Sequence, residues 1–145
     1  ISKGLVGSEM CIRDRRKMKI LKEQIQFNCS ADELWSILSE VGRCDWVPTI
    51  EKITLEGDHR HFEMTGMGQI TEKILKLDHS KMILQYSAIQ TPVPIEHHLA
   101  TMEVRPLNDR ECTLCWTTEI SPDIYADGIH QGMLVSIEGI KKVIQ

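Results

Sequence analysis

The chain has 145 residues, a net charge of −4 and five cysteines, which fits one domain large enough to bury its own core. It has no basic block to track a phosphate backbone and no apolar run near the ~20 residues of a membrane span, which argues against nucleic-acid binding and stable membrane insertion. An odd cysteine count in a chain that needs no staples predicts reduced thiols and a cytoplasmic setting.

Residues 1–17 show neither a helical nor a strand period. Val6 to Arg15 resembles a translated sequencing-adapter peptide, so 1–17 is set apart as a non-native or disordered arm, and the domain is expected over 18–145. Lys19 to Asn28 alternates as a strand. Ser30 with Glu33 forms a capping box, and Leu34, Ile37, Leu38 and Val41 make a helical stripe that Gly42 ends. Arg43 to Val47 reads as a second short helical turn, closed by Pro48. Six strands follow, over residues 49–57, 59–65, 69–77, 82–90, 95–105 and 111–120, with turn chemistry between them. Spacing near ten residues predicts an antiparallel meander. Ser121 as cap, Pro122 at the first position and Asp123 near the positive end then open a last helix running to Ile144. Its apolar face carries Ile129, Met133, Ile137, Ile140 and Ile144. One broad sheet with so little helix to cover it predicts a sheet curled around that terminal helix, an arrangement that tends to leave a cavity.

The ordered set Ser30-Ala31-x-Glu33-x-Trp35-x-x-Leu38, Asp45-Trp46-x-Pro48, Glu56-Gly57-Asp58-x-Arg60, Thr71-Glu72, Tyr86, Pro94-x-x-x-His98-x-Ala100-Thr101, Trp116 and Pro122 resembles the polyketide cyclase/dehydrase group of the START-like (SRPBCC) superfamily. The resemblance covers residues 19–145 and departs from the family at His98, where an aromatic is frequent. It implies an α+β helix-grip fold: a bent antiparallel sheet of about seven strands, two short helices after the first strand, and a long C-terminal helix across the mouth of a mainly apolar cavity. It also implies a small hydrophobic ligand, lipid- or polyketide-like, and no cofactor. A homodimer is compatible with it.

Strand alternation selects the side chains that face the cavity. Glu72 shares a face with Ile70 and Ile74. Tyr86 goes with Leu84 and Ala88, and His98 with Ala100, Met102 and Val104. Trp116 goes with Leu114, Thr118 and Ile120. The expected ligand-binding set is Glu72, Tyr86, His98, Met102, Trp116 and Thr118 from the sheet, with Met133 and Ile137 from the helix: an apolar lining with a few polar heads. A carboxylate on an apolar face must be paired or have a raised pKa, so Glu72 is the sharpest candidate. Against this stands a misassigned face with Glu72 on the surface. His98 reads equally as a core histidine bonded to a backbone carbonyl. Trp35 and Trp46 would anchor the small helices to the sheet edge, Trp46 near the pocket mouth.

No metal site is expected. His97-His98 and Cys112-x-x-Cys115 each point to opposite sides of a strand, and His59 with His61 reads as a solvated edge. No nucleophile elbow or phosphate loop occurs. Gly66–Gly68 and Thr91–Pro94 would flank the cavity mouth, or be ordinary hairpin turns. Three functions fit: a binding protein for a small apolar molecule; a cyclase/dehydratase-type enzyme moving protons with Glu72, Tyr86 and His98; or an interaction module whose interior is filled. No catalytic residue is asserted.

Overall fold

The computed structural model describes residues 17–144, so the expected arm over 1–17 lies outside the described residues except for Lys17. The chain runs β1 (Lys19–Phe27), α1 (Ala31–Leu38), β2 (Ile50–Glu56), β3 (His59–Met64), β4 (Gly68–Asp78), β5 (Ile83–Gln90), β6 (His97–Asn108), β7 (Glu111–Ser121), a 3-10 turn (Asp123–Tyr125) and α2 (Ala126–Val143). The strands form one seven-stranded sheet, ordered β1-β7-β6-β5-β4-β3-β2. Every neighbouring pair is antiparallel. The first two strands in sequence are therefore the two edges of the sheet. The segment joining them must cross one face, and α1 is the part of it that packs on β6 and β7.

Helix α1 starts where the Ser30 hydroxyl accepts from the Glu33 N–H at 3.1 Å. Its stripe buries Leu34, Trp35, Ile37 and Leu38. Gly42 does not cap it. The helix closes on Ser39, whose N–H donates to the Trp35 carbonyl at 2.8 Å, and a Cβ on Gly42 would meet the Leu55 side chain at 3.0 Å. The second short helix resolves into separate turns, Arg43 N–H to Glu40, Val47 N–H to Cys44 and Ile50 N–H to Val47, because Pro48 supplies no donor to continue them.

β5 starts one residue later than expected because Met82 sits at φ 56, in the left-handed region. β6 starts at His97, since the Ile95 N–H turns back to the Val93 carbonyl at 2.9 Å and the chain joins β7 only from Glu96 onward. It continues through Pro106, which falls at a bulge where a missing N–H is tolerated. Ser121 ends β7 instead of capping the last helix, and α2 begins at Ala126 without a side-chain cap.

The main core joins Leu34 and Leu38 of α1, Phe27 of β1, Leu84, Met102, Leu114 and Ile120 of the sheet, and Met133, Ile137 and Ile140 of α2. Helix α2 comes very close to the loop before β2: a Cβ on Gly139 would lie 2.0 Å from the Trp46 carbonyl oxygen. Only a residue without a side chain allows that approach.

Candidate functional site

Alternation places Arg60 and Phe62 of β3, Ile70, Glu72 and Ile74 of β4, and Leu84 and Tyr86 of β5 on the inner face. Glu72 is inside, as expected. Its partner is Arg60, directly opposite in the β3–β4 register. Arg60 Nε donates to Glu72 Oε1 at 2.8 Å. Arg60 Nη1 donates to the Val41 carbonyl at 3.1 Å, and the guanidinium carbon stands 4.5 Å from the centre of the Tyr86 ring. The two charged side chains are only 9% and 13% exposed. Sequence reasoning missed Arg60 as a site residue. The signal was present, since putting His59 and His61 on the solvent face puts Arg60 on the other.

Burial pushes the Glu72 carboxyl up from its ordinary range, and Arg60 opposes that shift without cancelling it. Burial, reinforced by Glu72, also raises the Tyr86 phenol, which stays protonated. Burial takes His98 down to about 4, helped by the charges of His97 and Arg60, so its imidazole is neutral near pH 7.

The β5–β6 ladder ends at Tyr86↔Ala100. Beyond it, Ser87 Oγ donates to the His98 carbonyl and the Ala88 N–H donates to His98 Nδ1 at 2.8 Å. The His98 ring therefore does the work of a missing ladder carbonyl. Its own proton must be on Nε2, on a ring 6.1 Å from Tyr86. The expectation that a core His98 would bond a backbone carbonyl is reversed: the ring accepts from a backbone N–H.

Trp116 of β7 lies edge to face with Trp46, their ring centres 6.4 Å apart and their planes at 71°. Met102 and Thr118 flank Trp116 within the packed interior, and Met133 and Ile137 close it from α2. Trp35 Nε1 donates to His79 Nδ1, in the turn between β4 and β5, at 3.1 Å, and Trp46 packs over β7.

Gly68 and Pro92 bring the two Gly/Pro loops together: a Cβ on Gly68 would meet the Pro92 ring at 3.1 Å. Among the described residues, two surface concavities stand out. One, of about 610 Å³, is lined by residues 40–45 and Leu55; the other, of about 480 Å³, lies over β2 and β3. Neither reaches Glu72, Tyr86 or His98. Among the described residues, no group of three or more His, Cys, Asp or Glu side chains could hold a metal ion. No helix is long and apolar enough to cross a membrane.

The arrangement offers donors more readily than bases. Glu72 is held by Arg60, and the one basic nitrogen of His98 is taken by Ala88.

The fold recurs in solved structures of low sequence identity. Protein XoxI from Bacillus cereus superposes with a TM-score of 0.78 at 19% identity, over 86% of this chain and 94% of that one. The Zhui aromatase/cyclase of a Streptomyces species gives 0.74 at 15% identity, over 86% and 92%. Norcoclaurine synthase from Thalictrum flavum, in complex with dopamine and hydroxybenzaldehyde, gives 0.73 at 20% identity, over 92% and 91%. At these identities the likeness is one of fold. No curated protein sequence matches the chain. The sequence profile described as polyketide cyclase / dehydrase and lipid transport matches residues 18–143, and with the helix-grip architecture in place the chain belongs to that family.

Proposed function

We propose that this protein binds a small, mainly apolar molecule between its sheet and α2, oriented by Arg60–Glu72, Tyr86 and His98. One observation carries the reading: a charged pair is buried on a mainly apolar sheet face, where hydrophobic residues of the same size would cost less free energy. Polar groups kept in an apolar interior at that cost are what a ligand site needs to fix orientation. Access would run between the Gly66–Gly68 and Thr91–Pro94 loops, beside the stretch where β5 and β6 part. A reducing, cytoplasmic setting fits the free thiols of Cys29, Cys44, Cys112 and Cys115.

Binding takes precedence over proton-transfer catalysis because neither candidate base is available. A cyclase/dehydratase-type reaction would first have to draw Glu72 away from Arg60.

Native mass spectrometry of protein purified without detergent is the test. A co-purified small molecule, or a rise in melting temperature with a member of a lipid and polyketide panel, is the expected result. Neither signal across the panel would refute the binding reading. Turnover of a polyketide-like substrate that Glu72→Gln reduces ~10²-fold or more would replace it with the enzymatic one.

A further inference from the structure

The interior is unbalanced in its hydrogen bonding. Among the described residues, the indole N–H groups of Trp46 and Trp116 are buried and have no hydrogen-bond partner. A buried donor without an acceptor is rare and costly, and two side by side are rarer. Their edge-to-face geometry lets one ring aim its edge at the other's face, so a contact with π density can serve at most one of the two. Trp116 also approaches the Tyr86 hydroxyl, closely enough to oppose the rise of its pKa but without the geometry of a hydrogen bond. The rest of the cluster has the same sign. His98 keeps a proton on Nε2, Tyr86 keeps its phenol proton, and Arg60 supplies five N–H groups. Against them stand the Tyr86 oxygen, which Trp116 approaches without bonding, the Val41 carbonyl, already taken by Arg60, and one carboxylate, held by Arg60 through one oxygen.

We infer that the bound molecule presents acceptor oxygens, carbonyl or carboxylate, to the Trp46–Trp116 indole pair. The inference rests on the binding reading above and narrows it: hydrocarbon shape alone is a poor match, and an apolar body with an oxygen acceptor at its buried end is a good one. Admitting that end requires the Trp46 loop to move away from Gly139 of α2. The loop itself is held by single turns, not by a helix.

Three probes of one size separate the outcomes: 2-ethylnaphthalene, 2-acetonaphthone and 2-naphthoate, titrated by calorimetry into the full chain. The ketone, the carboxylate or both should bind about tenfold or more tightly than the ethyl compound. Preference for the carboxylate would assign the acceptor as anionic, and preference for the ketone as neutral. Trp46→Phe and Trp116→Phe, which remove the N–H and keep an aromatic ring, should shrink that preference. Because these variants could lose stability, the wild-type chain labelled with ¹⁵N-tryptophan supplies a second readout. The two indole N–H resonances should move downfield with the preferred oxygen-bearing probe and not with 2-ethylnaphthalene, while that of Trp35, bonded to His79, stays fixed. Equal affinity for all three probes with unmoved indole signals would overturn the inference and leave the binding reading standing. Failure of all three to bind would overturn the inference, and only together with no co-purified molecule and no response across the lipid and polyketide panel would it overturn the binding reading as well.

Discussion

The inner face of the sheet has two halves with different rules. Under α1 and α2, strands β1, β6 and β7 present Leu21, Phe27, Met102, Leu114 and Ile120, all buried against Leu34, Leu38 and Ile140. Across β3, β4 and the far end of β5, the same face carries Arg60, Glu72, Tyr86 and the ring of His98. The first half is stable because apolar area leaves water and every atom has neighbours. The second is held by pairwise electrostatics in a setting where each group depends on its partner. The first half can lose any one contact in proportion to the atoms removed. The second fails discontinuously, when one partner goes and the other is left charged.

Glu72→Ala tests that contrast most severely. It leaves the Arg60 guanidinium buried beside Tyr86 with only the Val41 carbonyl for company. The expected loss is about 3–5 kcal/mol in urea unfolding, as for breaking a buried pair from one side. The double replacement Arg60→Met with Glu72→Leu should recover most of that loss, since it removes both charges and keeps the volume. If the double variant were as unstable as Glu72→Ala, the polar half would be structural in the same sense as the apolar one, and the comparison would collapse.

Gly139→Ala breaks the apolar half without touching the Arg60–Glu72 cluster. The added methyl cannot fit against the Trp46 carbonyl, so α2 or the 43–48 loop must move, at a cost of about 1–3 kcal/mol. Gly132→Ala, on the same helix with nothing within 4 Å of its would-be Cβ, is the control and should be neutral or stabilising by up to about 1 kcal/mol. Equal effects at the two glycines would mean that helix propensity, not the Trp46 contact, governs α2.

Much of this architecture was legible in the sequence, for reasons that differ by region. Period-2 alternation put Tyr86, His98, Met102, Trp116 and Thr118 on one face, and Glu72 keeps the same side through its regular pairing with Arg60 of β3 although its pairing with β5 shifts register beside it. The terminal helix was readable from Ile129, Met133, Ile137 and Ile140, at helical spacing. What failed was local chemistry decided by distant contacts. Ser121 looks like a cap, but its carbonyl is taken by Glu96 and it ends a strand. Gly42 looks like a helix stop, but it makes room for Leu55. Arg43 to Val47 has a helical look, but Pro48 denies it a ladder. Arg60 and the Trp46–Trp116 contact depend on register across the sheet and on where a loop lands, and no single-strand pattern encodes either.

His98 sharpens the comparison by the smallest step, because it belongs to both halves: its ring completes a strand ladder and borders the polar cluster. In the folded chain its pKa is about 4; in the unfolded chain it is that of an ordinary histidine, about 6.5. The unfolded state therefore takes up the proton first as pH falls. His98 costs nothing above about pH 6.5, destabilises increasingly between about 6.5 and 4 at up to ~1.4 kcal/mol per pH unit, and levels off below that. Carboxylates also titrate over part of this range, so the wild-type profile alone does not isolate His98. His98→Gln does: its amide oxygen can still accept from the Ala88 N–H, and it does not titrate. Urea unfolding at pH 7, 6, 5 and 4 should show the wild type losing stability relative to His98→Gln as the pH falls, with most of the divergence above pH 4. Parallel profiles would mean that His98 charges as easily inside as outside. The ring would then be open to water, and the polar half of the sheet would lack the low-dielectric setting that makes its pairings strong.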